Sequence, residues 1–386
     1  MVVSQTRLMT SMLSGRFRSA LGPLMRELKL YGEIVKNRRA KPRVMILPSH
    51  DRQVGSSLLR AYNIADHLAA NGWATIICHK SLSRQARQRI AAAFRPDIIL
   101  IQKSRHPANL PKHYGDTPIV FDIDDADFLD PAQEQRILEC LKGSRRVIAG
   151  SKYTADWCKQ HHSSVDIVWT GTPVRATPVR PQSGRAHIVA WASSGPHRYP
   201  KEASFVLDVM RLVALRRADV EFRVYGDMAD TGFCELVEQF KAKGVNIVPK
   251  PYMAYDLFLK SLEEISVGLN PVISVDGFGA GKSFGKVLAY LDAKVPTIST
   301  PNVDHPLFFK DDHNGYLIDA STGSLELATR WAEQISMLVD DETKRERVAE
   351  AARQDLIAEL SLDAAGRKVD ATLRQALREA APAQGQ

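Results

Sequence analysis

The chain is poor in cysteine. Its 386 residues hold four, Cys78, Cys140, Cys158 and Cys234, far apart and with no C-x-x-C pair among them. That spacing offers no zinc site, no redox dithiol and no disulfide framework, and it fits a reducing, cytoplasmic compartment. Long apolar runs are missing as well. No stretch approaches the roughly 18–20 apolar residues that a membrane span needs. Arg7, Arg16 and Arg18 interrupt the apolar residues near the N-terminus, so a secretory signal is not expected.

What is present reads as a globular chain of two to three domains, with 44% hydrophobic and 25% charged residues. The net charge of +8 points to an anionic partner such as a phosphate ligand or an acidic lipid. Part of that charge is local. Residues 16–43 carry Arg16, Arg18, Arg26, Lys29, Lys36, Arg38, Arg39, Lys41 and Arg43. Phe17, Leu21, Leu24, Met25, Leu28, Tyr31 and Val35 recur among them at helical spacing. Two readings fit: a helix packed on its own domain, or one lying on an anionic membrane surface. Nucleic acid is not expected, because no recognition motif or basic–aromatic interleaving accompanies the charge.

From Arg43 onward, apolar runs alternate with helical patterns. "RVMILPS", "WATIICH", "PDIILIQK", "TPIVFDIDD", "RRVIAGS" and "VDIVWTG" read as six strands. After "TPVRATPVRPQSGRAH" the alternation restarts with "IVAWASS", "VEFRVYG", "VNIVPK", "ISVGLNPV" and "VPTIST". Strands that are apolar nearly throughout belong to parallel sheets covered on both faces. The fold class is therefore α/β, with two Rossmann-like domains facing across a cleft and a basic N-terminal helix. The expected division is an extension over 1–42, an N-terminal domain over 43–175, a linker over 176–186, a C-terminal domain over 187–360 and a helical tail over 361–386.

"SVDGFGAGKSFGKVLAYLDAKVP" looks like a phosphate loop yet misses two familiar patterns by one residue each. Five positions before Gly281 stands Asp276, where a P-loop has glycine. The third glycine of a dinucleotide fingerprint begun at Gly279 would fall on Phe284.

The order of features resembles the two-domain nucleotide-sugar glycosyltransferases of the GT-B fold, most nearly the retaining group called glycosyltransferase family 4. The resemblance covers roughly residues 43–350. It rests on "GSSLLRAYNIADHLAANG", "VFDIDD", "VIAGSKYTADWC", "WASSGPHRYPK", "FRVYGD", "ISVGLNPV", "GKSFGKVLAYLDAKVPTISTPNVDH" and "NGYLID". It implies transfer of a sugar from a nucleotide-diphosphate sugar to a hydroxyl of a glycan or lipid-linked acceptor, with retention and with no cofactor or metal.

By the same resemblance, Gly281, Lys282, Ser283 and Lys286 would hold the donor diphosphate, with Ser283 opening a helix and the two lysines on one of its faces. The alternative is a pair of lysines on a solvated face. Arg198 and Lys201 would add cations for the phosphates, or else lie in a solvated loop. Glu202 and Asp227 stand near strand ends without an assigned role. His50, Gly55 and Ser56 would lie on the acceptor side. Asp124 and Asp125 resemble the D-x-D metal motif of the other glycosyltransferase fold. Here they are expected at a strand end, either orienting an acceptor hydroxyl as catalytic residues or serving as caps and loop structure. His161, His162 and His313 read as surface residues.

One position departs from the family. The glutamate that holds the donor ribose stands seven residues before a proline, and here that position is Ala289. Asp292, three residues on, is the candidate replacement for the ribose contact. The departure motivates an alternative, a GT-B scaffold without turnover that acts as a binding or partner subunit. A third reading, a GT-B-shaped sugar-nucleotide epimerase, finds no catalytic carboxylate set.

Overall fold

Strand β1, Arg43–Leu47, shows why the parallel sheet forms: Val44 and Ile46 point to one face, Met45 and Leu47 to the other, and all four are buried. In the computed structural model, residues 22–380 are described apart from 38, 39, 194, 274, 276, 282, 283, 286 and 322. They divide into two compact units, one holding residues up to Gly150, Thr154–Gly171 and the chain from Ala365, the other Ser151–Tyr153 and Thr172–Ala364.

The first unit contains β1, β2 (Ala74–Ile77), β3 (Ile98–Gln102), β4 (Ile119–Ile123), β5 (Arg146–Ala149) and β6 (Val165–Ile167). They form one sheet in the order β2-β1-β3-β4-β5-β6, every pair parallel. Met45, Ile99 and Phe121 pack under the helices Arg84–Phe94 and Pro131–Lys142, together with Leu30 from a helix over residues 22–36. Ile46, Leu100 and Val120 face the helix Asn63–Ala70 and the side chains of Ala365, Val369, Leu373 and Ala376. The tail helix Leu362–Ala380 thus supplies one cover of this sheet.

The second unit contains β7 (Ile188–Ala192), β8 (Glu221–Gly226), β9 (Ile247–Pro251), β10 (Val267–Asn270), β11 (Thr297–Ser299) and β12 (Tyr316–Leu317). Their order is β12-β11-β10-β7-β8-β9, again all parallel. Ten of these twelve strands lie within the apolar runs that announce them, and β9 runs one residue past its own, to Pro251. The twelfth, β12, spans two residues inside "NGYLID" and is too short to carry a period of its own.

The proline- and arginine-rich segment after β6 is fastened along the second unit. Arg175 donates through Nε to Asp292 at 2.9 Å and through Nη1 to Glu263 at 2.6 Å. Arg185, 4% exposed, donates to the carbonyls of Pro181, Ile265 and Ala293 at 3.0, 2.8 and 3.0 Å. Burial lowers its pKa to about 10, which leaves the guanidinium charged at neutral pH.

Candidate functional site

In doubly wound sheets a crevice opens outside the carboxyl ends of the strands where the strand order reverses, and ligands bind there. The reversal falls between β1 and β3 in the first unit, and between β7 and β10 in the second. Most of the sequence candidates follow one of these strands or a close neighbour.

In the first unit, Lys103 stands directly after β3 and is 2% exposed. Its Nζ lies 3.0 Å from Asp124 and 2.5 Å from Asp125, which follow β4. Burial disfavours the ammonium, but Asp124, Asp125 and Asp127 outweigh it, so the pKa of Lys103 is raised. Arg105 holds Asp127 through two hydrogen bonds, that from Nε at 2.8 Å. Within β4 itself, Asp122 is buried and takes Arg60 Nε at 3.2 and 3.0 Å. Arg60 Nη1 in turn donates to the Val168 carbonyl at 2.9 Å and to Thr170 Oγ1 at 3.2 Å. The four carboxylates of "DIDDAD" are thus all in ion pairs with cations from neighbouring elements.

The strand ends are tied together from below. Asn109 donates to the carbonyls of Leu47, Gln102 and Lys103 at 3.1, 3.3 and 2.9 Å, and Arg87 donates to its Oδ1 at 2.7 Å. Gln102 accepts from Ser49 N and Ser57 Oγ, each at 3.0 Å. Gly150, after β5, is needed because a Cβ there would come within 2.6 Å of Asp124 Cα. The bare glycine lets the Asp124 segment lie against β5.

His50 follows β1 and is half-buried, with Nδ1 2.8 Å from Ser49 Oγ and its backbone N donating to Ser57 Oγ at 3.1 Å. Burial lowers its pKa first, and Arg105, Lys80 and Lys103 lower it further, so the ring is neutral at neutral pH. Gly55 is exposed and Ser56 half-buried at the start of the helix over residues 55–70, which contains one π-helical turn, Leu58–Tyr62. Sequence reasoning reached Asp124, Asp125 and His50 but missed Lys103, Arg105, Gln102 and Asn109. Lys103 carried one signal: a lone cation closing a nearly apolar run, "IILIQK".

In the second unit, β7 ends at Ala192 and leads through the turn Pro196–Arg198 into the helix Pro200–Ala214. Arg198 and Lys201 are exposed there. Glu202 is 4% exposed and accepts from the Ile273 backbone N at 3.0 Å, which ties the loop after β10 to the helix after β7. Val272 in that loop donates to Thr300 Oγ1 at 3.1 Å and accepts from Asn302 Nδ2 at 2.6 Å. Asp227 accepts from Ala229 N at 3.0 Å, a local turn.

The loop then makes a 3₁₀ turn, Gly277–Gly281, in which Gly281 is buried. Lys282, Ser283 and Lys286 lie outside the described residues. The expected helix opening at Ser283 is corrected: Phe284 and Gly285 are not helical, and the helix is Val287–Asp292. The reason is local. Phe284, 2% exposed, is held among the rings of His305 and Phe308, with centroids 5.9 and 5.3 Å away. Gly285 then takes φ 46°, a left-handed turn that no regular helix contains.

Ala289 is 4% exposed on this fully buried helix, beside Tyr290, whose hydroxyl donates to the Ala190 carbonyl at 3.2 Å. Gly268 makes room for that ring, since a Cβ there would come within 3.0 Å of it. Asp292, the candidate for the ribose, is 1% exposed and committed to Arg175, with Arg353 Nη2 at 3.8 Å. The structure therefore assigns it to fastening the segment after β6, not to an open site. His161 is exposed, His313 is about half exposed, and His162 is half-buried with Nε2 3.2 Å from the Ser144 carbonyl.

Next to the reversal point, at the carboxyl ends of β7, β8 and β9, is a cavity of about 200 Å³. Ser193, Tyr225, Tyr252, Met253, Tyr255 and Phe258 are among its lining residues. Tyr252 and Tyr255 are 76% and 53% exposed, so they offer ring surface to an incoming ligand. Gly226, at φ 148°, closes tightly on β7: a Cβ there would come within 2.2 Å of the Ser193 carbonyl oxygen. Among the described residues no three His, Cys, Asp or Glu side chains are grouped to hold a metal ion.

No family model and no curated protein sequence matches the chain. Solved structures do. A glycosyltransferase from Rickettsia africae aligns over 88% of this chain and 99% of its own, with a TM-score of 0.65 at 14% identity. HepE of Anabaena in complex with UDP aligns over 87% and 100%, with a TM-score of 0.59 at 13% identity. TarM aligns over 72% of this chain at 17% identity and a TM-score of 0.56, and the chain spans only 54% of TarM. The chain has the GT-B fold of these glycosyltransferases.

Proposed function

We propose that this chain transfers a sugar from a nucleotide-diphosphate sugar to a hydroxyl of a glycan or lipid-linked acceptor, with retention and without a metal. The observation that carries the proposal is the aromatic cavity at the carboxyl ends of β7, β8 and β9, next to the point where the strand order reverses. Tyrosine rings at a strand end suit a nucleotide base, because stacking suits any base and needs no charge. By the resemblance, Gly281, Lys282, Ser283 and Lys286 would hold the diphosphate, with Arg198 and Lys201 as exposed cations. HepE, of like fold, is described in complex with UDP.

In this reading the bond between the anomeric carbon and the diphosphate breaks, the acceptor oxygen bonds to that carbon on the same face, and the hydroxyl proton passes to the departing diphosphate oxygen. Lysines and backbone N–H groups stabilise the departing phosphate, and positioning does the rest. The first unit supplies the acceptor side. His50, neutral, can accept a hydrogen bond from an acceptor hydroxyl, and Asp124 and Asp125, held by Lys103, orient it. We place the reaction on the cytoplasmic side, beside an anionic membrane surface.

Calorimetric titration with a panel of UDP-, GDP- and other nucleotide sugars tests the reading. Binding of one donor, weakened by Lys282→Ala and by Tyr252→Ala, is expected. Loss of one stacked ring is worth roughly 1–3 kcal/mol, or about 5- to 150-fold in Kd. If no nucleotide binds, the proposal fails. The second reading, a scaffold without turnover, is favoured by Ala289 in the core and Asp292 in an ion pair, which leave neither to hold a ribose. Binding with no hydrolysis or transfer to any acceptor would select it.

A further inference from the structure

The helix over residues 22–36 has two apolar faces, and only one of them is covered by described residues of the first unit. On the covered face, Leu30 is 7% exposed, and Glu27 is 8% exposed with Arg89 donating to it at 3.0 and 2.9 Å. Ile34 packs on the same cluster, and Arg26 donates to Ser81 Oγ at 2.9 Å. The other face carries Leu24, Met25, Leu28 and Val35, which are 52%, 61%, 54% and 71% exposed. At about 3.6 residues per turn, Leu24, Leu28 and Val35 fall within about 40° of one another, with Met25 beside them. Lys29 and Lys36, both exposed, form the adjoining stripe.

We propose that this outer face is a docking surface for an anionic lipid bilayer. Three large apolar side chains in line on an anchored helix, with Met25 beside them, form a patch, unlike apolar residues scattered singly over a surface. A lysine stripe along its edge is the charge complement of phosphate headgroups, and it lets the leucines enter the headgroup boundary with the helix parallel to the membrane plane. A second copy of this chain is the poorer occupant. The stripe holds no acidic residue to meet Lys29 and Lys36, so a self-pair would set like charges side by side. Glu27 is occupied by Arg89, and Glu33 lies on the far side of the lysines from Leu24 and Leu28. Residues 1–21 and 38–39, with five further arginines at Arg7, Arg16, Arg18, Arg38 and Arg39, lie outside the described residues. The docking surface stands independently of the transfer chemistry, because vesicle binding is measured without a donor or an acceptor.

The test is flotation of the full chain with vesicles of phosphatidylglycerol mixed with phosphatidylcholine, and with phosphatidylcholine alone. Binding to the anionic vesicles, weakening as salt is raised, is expected. Lys29→Gln with Lys36→Gln removes two surface charges and lowers the partition by about 30-fold. Leu24→Ser with Leu28→Ser lowers it by at least about 100-fold, and unchanged thermal melting shows that these exposed positions leave the fold intact. Absence of the chain from anionic vesicles overturns the proposal, and so does binding that the leucine substitutions leave unchanged. A concentration-dependent dimer that Leu24→Ser with Leu28→Ser dissolves, without vesicle binding, overturns it in favour of a second copy.

Discussion

Replacing Lys103 by methionine tests whether Asp124 and Asp125 are held by a buried cation. Methionine keeps the length and the apolar stem but removes the charge that lies 3.0 Å from Asp124 and 2.5 Å from Asp125. Removing one partner of a buried pair costs about 3–5 kcal/mol, because the remaining charge stays desolvated. The Asp124 and Asp125 side chains are 9% and 29% exposed, so water reaches the second and the lower end, about 3 kcal/mol, is expected. For a unit of this size that corresponds to a fall in Tm of roughly 6–12 °C. Scanning calorimetry of the full chain reads it, and Lys103→Met with Asp124→Asn should recover part of the loss. The raised pKa of Lys103 sets the pH window. The stabilisation is complete below about 10.5, the unfolded pKa of lysine, and is lost as pH rises through the higher folded value. A Tm change under about 2 °C, or a double variant no more stable than Lys103→Met, would refute the ion-pair account.

Gly150→Ala should destabilise the first unit by about 3 kcal/mol, read by urea unfolding, because the added methyl would sit 2.6 Å from Asp124 Cα and backbone cannot yield as a side chain does. Arg175→Ala should cost the second unit about 3 kcal/mol or more, since Asp292 at 1% exposure would keep a charge without its main partner. A loss confined to nucleotide affinity, with Tm unchanged, would instead return Asp292 to the donor site. Burial, with Arg87, lowers the pKa of His106 to about 4 from its ordinary 6.5. The unfolded chain binds that proton first, so stability falls as pH drops from 6.5 toward 4, and His106→Gln should flatten that part of a Tm–pH curve.

Much of the fold was legible because most of the strands are buried on both faces, so "IILI" and "VMIL" read as unbroken apolar runs whatever surrounds them. Asp122 is the instructive exception: a carboxylate inside β4 is tolerated because Arg60, 62 residues earlier, reaches it. The candidate site was less legible, since its geometry depends on such distant partners. Asp124 and Asp125 were visible as residues, whereas their shared cation, on the neighbouring strand, was not. The phosphate-like loop was visible as glycines and lysines. Its helix was set too early, because the anchoring of Phe284 between His305 and Phe308 is a tertiary event.

Local periodicity by itself determined that this chain makes parallel, doubly wound sheets with helices between their strands, because burial on two faces leaves its mark residue by residue. Strand order, and with it the two reversal points, came only from the tertiary structure, since hydrogen-bonded neighbours such as β7 and β10 are about eighty residues apart. The same holds for the role of Asp292. Three residues from Ala289 on one helix it looked able to replace a ribose ligand, but a carboxylate binds whatever cation the fold brings to it, and here that cation is Arg175, 117 positions away in sequence.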